Sequence, residues 1–207
     1  MPGHAFLRGP NVTLRPIERS ERDRAALCRV RNEPAFRRTL GFDKPWPESR
    51  VESFLESVAT DDSSSNLFVC PSHEQRSDDG RTESGTDGDE DGGPEAGSEV
   101  TISGAVNLFD IDGTAGTLSY WLFDEYRGRG YATEAVSLLI EHAFEELGLH
   151  RVEAEVFDGN EPSRRLLERV GFVGEGVSRE ARFTGGEFRD VHRFGLLAPE
   201  WTGRGKA

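Results

Sequence analysis

Lysine is nearly missing from this chain: of 25 basic residues only Lys44 and Lys206 are lysines, and the rest are arginines. Cysteine is as scarce, with Cys28 and Cys70 alone and no Cys-x-x-Cys pair. That excludes a disulfide scaffold and a cysteine-built zinc module. No apolar run approaches the ~20 residues that a membrane-spanning helix needs, so no membrane partner is expected. Met1–Pro10 holds no apolar stretch of the kind a secretory signal carries, and cytoplasm is the expected compartment. The histidines (His4, His73, His142, His150, His192) show no ligand spacing with a carboxylate or cysteine, and no metal is expected.

What is abundant is acid. Asp and Glu number 38, and the 207 residues carry a net charge of -13. Such a field disfavours non-specific contact with phosphate backbones, so no nucleic-acid partner is expected. Excess acid with little lysine also fits a halophilic protein in a cytosol of molar salt, where the Debye length is about 3 Å and self-repulsion is screened. Part of the acidity is local. Ser72–Ser98 holds nine acids against Arg76 and Arg81, with six glycines and none of Val, Ile, Leu, Phe, Tyr or Trp. That composition does not offset its ordering entropy. The stretch reads as an acidic disordered loop inserted between two strands of one domain spanning 1–207, either merely solvated or a binding tail.

The rest alternates between strand and helix periods. Val12–Pro16 reads as a strand, and Arg22–Asn32 and Pro47–Ala59 as helices, with Pro47 in a first turn. Asn66–Cys70, Val100–Phe109 and Thr117–Phe123 read as strands, the last two parted by the turn Asp112-Gly113. Gly130–Leu147 is a long amphipathic helix whose apolar face includes Ala135, Leu139, Ala143 and Leu147, with Gly148 as its stop. Arg151–Phe157 is a strand, Glu161–Val170 a short helix ended by Gly171, and Phe172–Ser178 and Phe188–Leu197 are strands. The expected class is α/β (α+β): a mostly antiparallel sheet, partly parallel around the long helix and flanked by helices.

Chemistry concentrates in Leu118–Phe172. The strand LSYWLF leads through Asp124-Glu125-Tyr126 into Arg127-Gly128-Arg129-Gly130-Tyr131-Ala132, which opens the long helix. Gly128 and Gly130 remove Cβ atoms at the turn, so successive N–H groups can approach a ligand at a helix start that favours an anion. A dinucleotide fingerprint fits worse, because Thr133 stands where its third glycine belongs, and no Gly-Lys-Ser/Thr of a P-loop occurs. A phosphate cradle and a plain tight turn with solvated arginines remain the two readings of these six residues.

The context adds a resemblance. Arg127-x-x-Gly130-x-Ala132 resembles the acyl-CoA signature of the GNAT N-acetyltransferase superfamily, and Asn160-Glu-Pro-Ser163 through Gly171-Phe172 is similar to its second cofactor motif. Leu14-Arg15-Pro16, Gly176 to Glu180, Gly186, Asp190, Gly195-Leu-Leu197 and Trp201 resemble the branch of ribosomal-protein N-terminal alanine/serine acetyltransferases. The resemblance implies a GNAT-like splayed sheet and acetyl-CoA as co-substrate. It implies that backbone amides from Gly128 to Ala132, with Arg127, Arg129 and Tyr131 in the same turn, hold the pyrophosphate. The strand ending at Phe123 would carry a bulge and splay from Arg151–Phe157, so that the pantetheine arm pairs with Leu122 and Phe123. Asn160 would cap its helix and contact the same arm, and Ser163 would meet the departing thiolate.

Many GNAT enzymes place a tyrosine acid where this chain has Leu167, and no tyrosine follows Tyr131. Glu155 matches a position where some members carry a catalytic glutamate. It shares a strand face with Glu153, and both also suit solvent-facing pairing with arginines. Glu180 and Asp190 are the alternatives for binding or deprotonating the amine. The implied activity is direct acetyl transfer to a primary amine, either a protein N-terminus or a small molecule such as a polyamine, amino acid or aminoglycoside. A homodimer is compatible with this. A non-catalytic acyl-CoA-binding module is the competing class, and an RNA-binding Arg-Gly run is opposed by the charge.

Overall fold

The computed structural model describes residues 4–40, 44–72 and 100–203. Apart from Ser72, the acidic stretch lies outside the described residues, as do Phe42 and Asp43.

The chain opens with a hairpin of β1 (Leu7–Arg8), which the sequence pattern does not announce, and β2 (Val12–Pro16). α1 (Glu21–Asn32) starts one residue before the expected helix because Ser20 Oγ caps it, accepting the Asp23 N–H at 3.2 Å. Pro34 brings no N–H to extend α1 and opens α2 (Pro34–Leu40), also unexpected. α3 (Glu48–Val58) leaves Pro47 outside its first turn: Pro47 is extended at ψ 159°, and its carbonyl accepts the amides of Arg50 and Val51.

β3 (Ser65–Pro71) and β4 (Gly104–Phe109) flank the insertion. β4 starts at Gly104, not Val100. Ser103 turns both its N–H and its hydroxyl onto Val69 O at 2.8 Å, and Gly104 packs its backbone against Trp121 O where a Cβ would clash. The Asp112 carboxylate accepts the amides of Thr114 and Ala115 and so turns the chain into β5 (Ala115–Leu122). α4 (Tyr131–Glu145) stops short of Leu147, which is 40% exposed instead of joining the apolar face. Gly148, at φ 68°, then lets Leu149 enter the core.

β6 (Arg151–Phe157) and α5 (Glu161–Val170) have the expected bounds. β7 (Val173–Thr184) and β8 (Glu187–Leu197) form a hairpin longer than expected. Gly185 and Gly186, both at positive φ, suit the tight turn that joins twisted strands. A bulge at Glu180 (φ 49°), whose N–H donates to Asp190 Oδ1 at 2.7 Å, carries β7 past the point where alternation fades.

Among the described residues eight strands lie in one sheet, ordered β1-β2-β3-β4-β5-β6-β8-β7, and only β5–β6 is parallel. Alternation divides the side chains between two cores. Leu67, Val106, Leu118, Leu122, Ala154 and Val156 pack with α4 and α5, while Phe68, Cys70, Ala105 and Phe123 pack with α1, α2 and α3. Each fully buried aliphatic chain on these faces contributes about 1.5–3 kcal/mol.

The parallel pairing is short. β5 and β6 are joined from Ala115↔Arg151 to Leu118↔Ala154, and then part. β5 stays on β4 as far as Leu122↔Gly104, and β6 stays on β8 as far as Phe157↔Val191. A gap therefore opens between residues 119–122 and 155–157. The bulge expected in β5 is absent from its ladder with β4, whose register is unbroken; the divergence lies wholly on the β6 side.

Candidate functional site

The gap is bordered by two helix starts. On one side Phe123 leaves β5 into a single 3-10 turn, Asp124–Tyr126, which ends as Arg127 N–H donates to Asp124 O at 3.2 Å. Gly128 and Gly130 follow at φ 76° and 81°, a region other residues enter at a cost, and a Cβ on either would meet nothing within 4 Å. Gly130 caps α4 without a side chain, and Glu134 N–H is bonded to Gly130 O at 3.1 Å. The amides of Tyr131, Ala132 and Thr133 thus sit at the open first turn, where a helix has no partners of its own for them. Arg127 leans on Asp124 at 2.9 Å, and the Arg129 guanidinium lies 5.6 Å from the Tyr126 ring centre. Glu134 turns away: its carboxylate accepts the backbone N–H and side-chain amide of Asn11 at 2.9 Å and the N–H of Val12 at 3.0 Å.

On the other side Asn160 caps α5, its Oδ1 accepting Ser163 N–H at 3.3 Å, with Pro162 in the first turn. Ser163 meets a residue that the sequence reading passes over. Tyr120 Oη lies 2.6 Å from Ser163 Oγ and 3.2 Å from Ser163 O. Burial pushes the Tyr120 phenol up to about 12, partly offset by the Ser163 hydrogen bond. The signal was present in LSYWLF: alternation puts Tyr120 between Leu118 and Leu122 on the α5 side, and a phenol facing a core needs a partner. Leu167 is buried in the core beside α4 and carries no proton to give.

On the opposite sheet face, α1 and α3 roof a cavity of about 420 Å³. Its walls are largely apolar, including Leu27, Val30, Phe54 and Trp121. Its floor holds a polar row in register across three strands: Asn66 faces Asn107, and Asn107 faces Ser119, with Asn107 Nδ2 donating to Ser119 Oγ at 3.2 Å. Ser119 and Glu155 are the next positions after the last parallel pair, so the row continues across the gap to Glu155, which faces Arg193 on β8. The Glu155 carboxylate stands 3.9 Å from Arg193 Nε and remains exposed. Glu153 instead pairs with Arg151 at 2.6 Å.

The charges lining this cavity are few. Asp61 is exposed, and its carboxyl is held below the usual range by the Ser63 hydroxyl. Arg31 lies 4.1 Å from the Trp46 ring centre, and burial, then Arg50, lowers its guanidinium to about 10. Asp190 holds the Glu180 amide at the β7 bulge, and neither lines the cavity. The roof is tied to the glycine turn: Arg29 of α1 makes paired bonds of 2.8 and 3.3 Å to Glu125 and stacks 3.9 Å over Phe123.

Residues 11–173 match the family described as acetyltransferase (GNAT) domain. Over 105 residues, half of this chain (50%) and 57% of the relative, it is 37% identical to a putative ribosomal N-acetyltransferase of Bacillus subtilis. Over 85 residues, 41% of this chain and 44% of the relative, it is 31% identical to the [ribosomal protein uS5]-alanine N-acetyltransferase of Escherichia coli. Both matches therefore span less than two thirds of the relatives' length. In fold it is similar to spermidine N-acetyltransferase from Vibrio cholerae, solved with CoA and spermine, at TM-score 0.74 and 20% identity, covering 93% of this chain and 98% of that one.

Proposed function

Because the chain belongs to the GNAT acetyltransferase family, we propose that it transfers an acetyl group from acetyl-CoA directly to a primary amine, and that the acceptor is a protein N-terminal amine. The observation that carries this reading is the polar row Asn66–Asn107–Ser119, which runs along a largely apolar cavity toward Glu155 at the edge of the strand gap. Acetyl-CoA fits the other side of that gap. Gly128 and Gly130 present open space where a side chain would intrude, and the α4 amides behind them suit a diphosphate. When bound, acetyl-CoA supplies an activated thioester carbonyl.

In this reading the amides of Gly128 to Ala132, helped by Arg127 and Arg129, hold the pyrophosphate, and Tyr131 fixes the first turn behind them. The backbone of Leu122, past the last residue joined to β6, takes the pantetheine arm as an added strand; Phe123 lends it no backbone group, because its N–H donates to Ser103 O at 2.9 Å and its carbonyl accepts Tyr126 N–H at 3.0 Å. Asn160 uses its side-chain oxygen for the cap, which leaves its NH2 end to face the arm. Glu155 accepts the amine proton directly or through water, and Ser163 meets the sulfur.

The cavity chemistry favours a peptide over a polyamine. A polycation needs several carboxylates, and among the described residues this cavity is lined by the carboxylate of Asp61 alone, beside the cation Arg31. Apolar walls with two side-chain amides suit a small N-terminal residue and its peptide group. The test is acetyl transfer in high KCl, read by free thiol, to N-terminal peptides and to spermidine. Alanine- and serine-ended peptides should turn over, and faster turnover of spermidine would reassign the acceptor. Glu155→Gln should lower kcat by about 10²–10⁴-fold with acetyl-CoA affinity unchanged; an undiminished kcat would remove Glu155 as the base.

A further inference from the structure

The residue that stands out beyond this scheme is Tyr120. It lies on β5 two positions past Leu118, the last residue paired to β6, so it sits where the gap begins. Its hydroxyl joins β5 to the first turn of α5 through Ser163, at 2.6 Å to Oγ and 3.2 Å to O. Two hydroxyls share the shorter contact, and chemistry decides which one donates. A phenol is the stronger acid and the weaker acceptor, and burial keeps this one protonated. The Ser163 carbonyl, 3.2 Å away, competes for the same single phenol hydrogen; the 2.6 Å contact is the shorter and takes it, so Ser163 Oγ is the acceptor.

The Ser163 hydrogen must then point elsewhere. A serine within a helix usually returns it to the carbonyl four residues back, but Ser163 lies in the first turn and that carbonyl belongs to Gly159, outside α5. We propose that Tyr120 is a positioning residue: by donating to Ser163 Oγ it aims the Ser163 hydroxyl hydrogen into the β5–β6 gap, toward the sulfur of coenzyme A. This rests on the acetyltransferase reading and answers the question that Leu167 raises there, how a departing thiolate is met without a tyrosine on α5. As the C–S bond breaks, its electron pair stays on sulfur. The Ser163 hydroxyl donates a hydrogen bond to that sulfur, and a proton from solvent completes the thiol.

The test is a double-mutant cycle on the full chain with Tyr120→Phe, Ser163→Ala and the pair. Each single change should lower kcat by about 10-fold, with KM for acetyl-CoA within about 2-fold, and the pair should be no worse than Ser163→Ala alone. Ser163→Thr, which keeps the hydroxyl, should recover most of the rate. A second readout needs no turnover. The preference for coenzyme A over its desulfo analogue, measured by calorimetry, should shrink by the same factor in Tyr120→Phe and in Ser163→Ala. Effects that multiply in the pair, or a Tyr120→Phe protein with wild-type kcat and preference, would overturn the role of Tyr120 and leave the acetyltransferase standing. A wild-type protein that bound no coenzyme A would overturn the acetyltransferase reading, and this inference with it.

Discussion

Two helices begin at the same gap and solve the same problem in opposite ways. α5 satisfies its own start: Asn160 covers the Ser163 amide, and Pro162 has no N–H to cover. α4 starts on a left-handed glycine with no side-chain cap, two residues after another glycine in the same conformation. Every helix start carries orphan amides and a partial positive charge, so neither property identifies a binding site. The difference lies in whether the sequence supplies the partner. Where it withholds a cap and clears the Cβ positions as well, the proposed partner is the diphosphate of coenzyme A.

Substitutions at the two caps break or sharpen that contrast. The largest effect belongs to Gly130→Trp. It should abolish coenzyme A binding, by more than about 100-fold, since several charge-assisted bonds of ~1.5–3 kcal/mol each are blocked. The far-ultraviolet spectrum should stay unchanged, because the added side chain points into open space, while the left-handed backbone at Gly130 lowers stability by about 1–2 kcal/mol. Gly130→Asp should weaken coenzyme A binding by about 10-fold through like-charge repulsion, in a titration at low salt that recovers in part at high salt. Asn160→Ala should cost about 1 kcal/mol of stability, or about 2–4 °C in melting temperature for a chain of this size. Asn160→Ser should restore the cap but not the donor amide, so its melting temperature returns while KM for acetyl-CoA stays raised. The smallest effect is general: the melting temperature should rise between ~0.1 and ~3 M KCl as surface repulsion is screened, and a flat profile would remove the halophilic reading.

The sequence was most legible where one period ran unbroken. Arg151–Phe157 alternates cleanly and Glu161–Val170 carries its cap and its stop, and both have their expected bounds. It was least legible where local chemistry gave way to neighbours. β4 loses Val100–Ser103 to the double bond of Ser103 on Val69 O, and β7 gains its second half through a bulge held by Asp190, ten residues away in sequence. The α4 turn could be read because glycine spacing is a local signal. The polar floor could not, since Asn66, Asn107 and Ser119 become neighbours only through strand register. Tyr120 was hidden in the same way, because its partner lies 43 residues further on.

Glu134 sits in the first turn of α4, where a carboxylate would ordinarily repel an approaching diphosphate. Its oxygens are instead engaged by Asn11 and Val12. The amino-terminal hairpin thereby acts as an electrical shield, blunting the one negative group in that turn. Damage to the hairpin would then register first as a salt-sensitive loss of affinity for the proposed diphosphate.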